Sequence, residues 1–187
     1  VVSAIRAAPE NARVDIYLAD RGDGSIGEPI FSKCNPGEPT ALDAAISDVE
    51  KKKRDYEQGY LAAVEETMAK VLQVEPAKTS PIIESLRSAA TRSFSRLASD
   101  VPVRITLISD MVQNSPMLRQ SKGIGDFAAF RKSAGWSNSL VDLHHARISI
   151  VYVTRANYRD VQNNGHINWW SQYFDEMNGT LLESEAI

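Results

Sequence analysis

The chain has 187 residues, 43% hydrophobic and 24% charged, and its 21 Lys and Arg against 24 Asp and Glu leave a formal net charge of −3. That length suits one domain able to hold a core without a disulfide or metal staple. The mild acidity argues against a general nucleic-acid binder, because the one basic run, Lys51-Lys52-Lys53-Arg54, is set among Asp48, Glu50, Asp55 and Glu57.

Val2 and Ile5 sit three apart before Pro9 and Asn11, so the chain opens on the last turns of a helix that has an end and no start. From Arg13 to Asp20, Val14, Ile16 and Leu18 alternate with Asp15 and Tyr17, the pattern of a strand with one apolar face. The run Asp20-Arg21-Gly22-Asp23-Gly24-Ser25 reverses the chain, and Pro29 to Cys34 forms a short strand beside the first. Over 42–74, Ile46, Val49, Tyr56, Tyr60, Val64 and Val71 keep helical spacings with local slips. This predicts a long helical insertion or helix pair, with Gly59 as the place where it bends or breaks.

Ser80-Pro81 opens the next helix, with Ser as cap and Pro at the first helical position, and Ile82 or Ile83, Leu86, Ala90, Phe94 and Leu97 form its buried stripe. Residues 101–110 read as a strand, apolar at Val103, Ile105, Leu107 and Ile108, as expected for a strand covered on both faces. Asp126 caps a short helix through Phe127 and Phe130, and another helical piece covers about 139–145. Residues 147–154 give a third strong strand. Asn168 to Met177 is a helix ended by Asn178-Gly179, and Thr180-Leu181-Leu182 adds a short edge strand. Strands alternating with helices predict an α/β three-layer sandwich, a Rossmann-like, mostly parallel sheet flanked by helices. No stretch of 18 apolar residues is present to span a membrane. The single cysteine, Cys34, excludes an intrachain disulfide and leaves cytoplasm and periplasm both open.

Ligands of such sheets bind at the carboxyl ends of the strands. There Asp110 is followed by Met111, Gln113, Asn114 and Ser115. A carboxylate in that place can hold a cation, act as acid or base, or cap the next turn. Ser80-Pro81-Ile82-Ile83-Glu84-Ser85-Leu86, followed by Ile105-Thr106-Leu107-Ile108-Ser109-Asp110, resembles the von Willebrand factor A (vWA) superfamily, in which a Thr-Pro-Ile helix start precedes an apolar strand ending in Ser-Asp. The segments 14–20, 34–37, 79–86, 109–116 and 169–174 are similar to a bacterial group of vWA-like proteins.

The resemblance implies a single vWA-like domain over 1–187 with a metal-ion-dependent adhesion site at the top of its sheet. It places Ser80, with Thr79 as neighbouring alternative, and Asp110 among the ligands of an incomplete Mg²⁺ or Ca²⁺ site. The family's Asp-x-Ser-x-Ser loop, which follows its first strand, is not found here. The expectation is that this strand and loop lie upstream of Val1.

Other constellations have plainer readings. The Arg-Gly-Asp triplet at 21–23 is a turn, and Asp20, Asp23, Ser25 and Glu28 do not match the twelve-residue calcium loop. His144-His145 and His166 lack the spaced partners of a zinc site. Cys34 has no identifiable catalytic partner, and Gly123-Ile124-Gly125 is too short for a phosphate fingerprint. Trp169-Trp170 puts one ring inward, with Trp169 as the candidate partner contact.

The functional expectation is a non-enzymatic protein-interaction module of vWA type. Its protein partner would meet the carboxyl end of the sheet near Met111, Gln113 and Trp169, with a divalent cation assisting at Ser80 and Asp110. The alternatives are a structural subunit with a degenerate metal site, or a Rossmann-like hydrolase using Asp110.

Overall fold

A computed structural model describes residues 2–19, 21–40, 49–73 and 79–187. Asp20 and the expected helix start at 42–48 lie outside the described residues. The chain forms two compact units, one comprising Val1–Leu18 and Gly27–Pro76, the other Ala19–Ile26 and Ala77–Ile187.

In the first unit, helix α1 (Val2–Arg6) precedes strands β1 (Arg13–Ile16) and β2 (Phe31–Cys34), which pair antiparallel with Arg13 opposite Cys34 and Ile16 opposite Phe31. Buried Asn35 ties this hairpin to the end of α1: its Nδ2 donates to the Ala8 carbonyl at 2.7 Å and its Oδ1 accepts from the Gly37 amide at 3.0 Å. The charged segment then forms α2 (Val49–Arg54), a π-helical turn (Asp55–Leu61) and α3 (Ala62–Val71). The widened turn contains Gly59 and absorbs the slip in the apolar spacing. It brings Tyr56 and Tyr60 to the same buried side, their rings 6.2 Å apart, in a small core with Ile5, Phe31 and Val64.

The second unit is mixed α/β. Helix α4 (Ile82–Phe94) leads to β3 (Arg104–Ser109), then come the short helices α5 (Phe127–Arg131) and α6 (Ala134–Ser139), β4 (Ala146–Tyr152), α7 (Asn164–Glu176) and β5 (Gly179–Ala186). The three strands form a parallel sheet in the order β3-β4-β5. The predicted edge strand at 180–182 is therefore the start of an eight-residue strand that pairs along all of β4. The helix expected over 139–145 ends at Ser139, and His144 and His145 instead take left-handed backbone conformations.

Register explains where the core lies. Ile105, Ile148 and Leu181 stand in one row and Leu107 and Ile150 in the next. On that face β4 buries Ala146, Ile148, Ile150 and Tyr152 against Ile83, Leu86 and Ala90 of α4 and Trp169, Trp170, Tyr173 and Phe174 of α7. Edge-to-face pairs such as Phe127 with Trp169, 5.3 Å between centroids, carry this core out to α5. β3 departs from the expected double coverage: its residues alternate between exposed and half-buried, and Ile108 remains 46% exposed. Among the described residues β3 has a strand on one side only.

The segment Ala19–Ile26 packs within this unit through two features. The Ile26 amide donates to Ser88 Oγ at 3.2 Å, and Gly24 turns at φ +77° directly against α4. A Cβ on Gly24 would come within 2.2 Å of the Glu84 Cβ. Gly24→Ala combines a left-handed backbone with a clash against the Glu84 Cβ and is expected to cost about 2 kcal/mol or more. Denaturant unfolding checks this, with Gly59→Ala, which meets nothing within 4 Å, as the control that does not destabilise.

Candidate functional site at the carboxyl end of the sheet

Asp110 leaves β3 at its carboxyl end. Its Oδ1 accepts from the Val112 amide at 3.0 Å, and its Oδ2 forms an ion pair with Arg155, 2.7 Å from Nε. The Asp110 side chain is 12% exposed and that of Arg155 52%, so the pair is only partly screened by water. Gln162 locks the arrangement: its Nε2 donates to the carbonyls of Asp110 (3.1 Å) and Val153 (2.8 Å), and its Oε1 accepts from the Arg155 amide at 2.7 Å. One carboxamide thus joins the ends of β3 and β4 to the turn that carries Arg155.

Met111 follows at φ 56°, a left-handed conformation that costs a non-glycine residue of order 1 kcal/mol or more. The cost is offset locally. The Met111 amide donates to Ser109 Oγ at 3.0 Å, and the Trp170 indole donates to the Met111 carbonyl at 2.9 Å. The turn drives Gln113 beneath the surface, where it is fully buried.

Every polar group of Gln113 is used. Oε1 accepts from the Ile83 amide at 3.0 Å, while Nε2 donates to Glu84 Oε2 at 2.8 Å and Ser115 Oγ at 2.9 Å. Its backbone amide lies 3.1 Å from Gln120 Oε1, and its carbonyl accepts from the Gln120 amide at 2.8 Å. Gln113 therefore does the capping expected of Ser80. The helix begins at Ile82 without a side-chain cap from its own end, and an amide there is satisfied by a residue thirty positions later. Ser80 instead exchanges backbone hydrogen bonds with Asn114, at 3.1 and 2.9 Å, and Thr79 Oγ1 donates to the Gly22 carbonyl at 3.2 Å.

Gln120 passes the network on to α7. Its Oε1 lies 3.0 Å from His166 Nε2, and His166 Nδ1 lies 2.5 Å from the Tyr152 hydroxyl. Nδ1 thus faces the Tyr152 hydroxyl and Nε2 faces Gln120, while the Trp170 N–H lies 2.9 Å from the Met111 carbonyl and 3.1 Å from His166 Nε2. Asn163 Oδ1 caps the helix that carries His166, accepting from the Gly165 amide at 2.9 Å. Burial pushes the His166 pKa from the usual 6.5 to about 4 and that of the Tyr152 phenol up to about 12. Both groups are neutral across the physiological range.

Two hollows open beside this loop. One encloses about 310 Å³ and is lined by Thr154, Arg155, Ala156, Arg159 and Gln162. The other encloses about 760 Å³ over Glu84 and Ser115, with Asp23, Met117, Gly135 and Asn138 around it.

The structure places the sequence-predicted residues unevenly. Asp110 is at the strand end, as the pattern implied. Met111, Gln113 and Trp169, expected to meet a partner, are 0%, 0% and 2% exposed, so they support the surface from below. The reasons are the left-handed turn at Met111, the polar partners of Gln113, and the stack of Trp169 on Tyr173, 6.1 Å between centroids. Arg155, Gln120, Gln162 and His166 were not singled out for this site. Only the place of Arg155 and Gln162 after a strand could have pointed to them.

Both Asp110 oxygens are engaged, one of them by the Arg155 guanidinium, and Ser80 pairs with Asn114 through its backbone, which leaves its hydroxyl outside these bonds. Among the described residues no group of three His, Cys, Asp or Glu side chains is arranged to hold a metal. No family model, curated protein or solved structure matches the chain.

His166 sets a pH dependence. Its folded pKa is below its unfolded value, so the unfolded chain takes up the proton first and acid favours unfolding. This contribution to stability is complete above about pH 6.5 and is lost as pH falls to about 4, amounting to about 3 kcal/mol. Unfolding free energies measured between pH 7.5 and 4 are expected to fall more steeply for the native chain than for His166→Gln. Parallel profiles would show that His166 is not held neutral.

Proposed function

We propose that the chain is a non-enzymatic protein-interaction module of the vWA type, which meets its protein partner at the carboxyl end of β3 and β4. The observation that carries this reading is the bracing of the loop after β3. Buried side-chain hydrogen bonds from α4, the Gln120 turn, β4 and α7 converge on the residues beneath one exposed surface. A surface held this firmly binds with little loss of conformational entropy, which favours recognition by a preformed face.

Charge supports a metal-independent form of this reading. Arg155 brings to Asp110 the positive charge that Mg²⁺ or Ca²⁺ was expected to supply. Engagement of Asp110 on both oxygens also speaks against the hydrolase reading, which needs that carboxylate free to attack or to hold a metal.

Photocrosslinking in the native cell tests the proposal. A benzophenone residue at exposed Pro116, in the braced loop, is expected to capture a discrete protein, and one at exposed Val101, before β3, to capture none. The capture is expected to persist in EDTA. Crosslinks from Val101 alone overturn the placement of the binding face, and loss of capture on chelation restores the metal-dependent form.

A further inference from the structure

The smaller hollow has a chemistry of its own. It lies where β4 ends, and two arginines, Arg155 and Arg159, line it together with Thr154, Ala156 and Gln162. Arg155 approaches Asp110 through Nε, and no side-chain partner of Arg155 other than Asp110 is found within the described residues. Arg159, exposed, likewise has no ion-pair partner among the described residues. The floor is fixed because the Gln162 carboxamide is bonded at both ends to the strand-end carbonyls and the Arg155 amide. Two arginines thus line a volume of about 310 Å³ beside a carboxamide held at both ends.

We propose that this hollow binds a carboxylate presented by an acidic side chain of the protein partner, held between the Nη groups of Arg155 and the guanidinium of Arg159. The proposal deepens the interaction reading above and rests on it for the partner being a protein. A planar carboxylate matches the guanidinium fork, and Arg155 already holds one carboxylate, that of Asp110, through its remaining edge. Phosphate sites add backbone N–H donors. Here the Arg155 amide is spent on Gln162, and the first free amides of α7 are spent on Asn163 Oδ1. Asp110 has a second consequence: it offsets part of the positive charge, so the hollow suits a single carboxylate better than a multiply charged anion.

The test is an NMR titration of the full chain, following the Arg Nε–Hε signals and the amides of residues 154–162. The probes are an acetylated Gly-Glu-Glu-Gly amide, the same peptide with Gln for Glu, and inorganic phosphate. The Glu peptide is expected to shift these signals saturably, and the Gln peptide to leave them unmoved. Arg159→Gln is expected to weaken the Glu peptide about tenfold, the loss of one charge-assisted contact. Because Arg155→Gln alone would strand Asp110, the second variant is the charge-balanced pair Asp110→Asn with Arg155→Gln, which is also expected to bind more weakly. Unshifted signals elsewhere confirm the fold of both variants.

Absence of shifts with the Glu peptide, equal affinity in Arg159→Gln, or tighter binding of phosphate than of the Glu peptide would each overturn the proposal. Capture from Pro116 that is indifferent to Arg159→Gln sinks this inference alone. Failure of capture from Pro116 in the native chain sinks the interaction reading beneath it.

Discussion

The second unit depends on one buried carboxamide. Gln113 satisfies the start of α4, binds Glu84 and Ser115, and exchanges hydrogen bonds with the Gln120 turn, all without contact with water. A buried amide that lacked any of these partners would cost about 1–3 kcal/mol for each group left open. The sites of its partners are therefore mutually constrained: the helix start, the loop and the turn can each occupy one arrangement. Through Gln120 the constraint reaches His166 and Tyr152, and so α7 and the end of β4.

This network explains why a strained backbone is placed where it is. Met111 must turn left-handed to send Gln113 inward, and the Trp170 indole holds the resulting carbonyl. The same turn leaves Asp110 at the surface, where Arg155 neutralises it. Rigidity below and charge above are thus two outcomes of one change in chain direction. The neutral state of His166 belongs to the same logic, because burial in this network disfavours the charged imidazolium.

Much of the second unit was legible in the residues. The three parallel strands follow from apolar runs near 103–108 and 147–153 and from the Asn178-Gly179 helix end, and Asp126 caps its helix as its type and place imply. The strand-end position of Asp110 was legible too. What was hidden depended on contacts distant in sequence. Ser80-Pro81 has the local signature of a capped helix start, yet the satisfying oxygen comes from Gln113, and no local pattern encodes a partner thirty residues away. Met111 and Gln113 looked exposed because they follow a strand end, while a single positive φ reverses that expectation. Trp169 and Trp170 are adjacent and were split between core and surface. Both are buried: Phe127 and Phe130 of α5 pack on Trp169, while the Trp170 indole donates to the Met111 carbonyl. The pairing of Asp110 with Arg155 spans 45 positions, and no local pattern encodes it.

Native-state hydrogen exchange of the backbone amides tests the central role of Gln113 most directly. The amides of Ile83, Gln113 and Gln120, each bonded to or through this network, are expected to be as strongly protected as those of β4 at Ile148 and Ile150. Exchange of these three amides at the rate of an open loop, with β4 still protected, would contradict it.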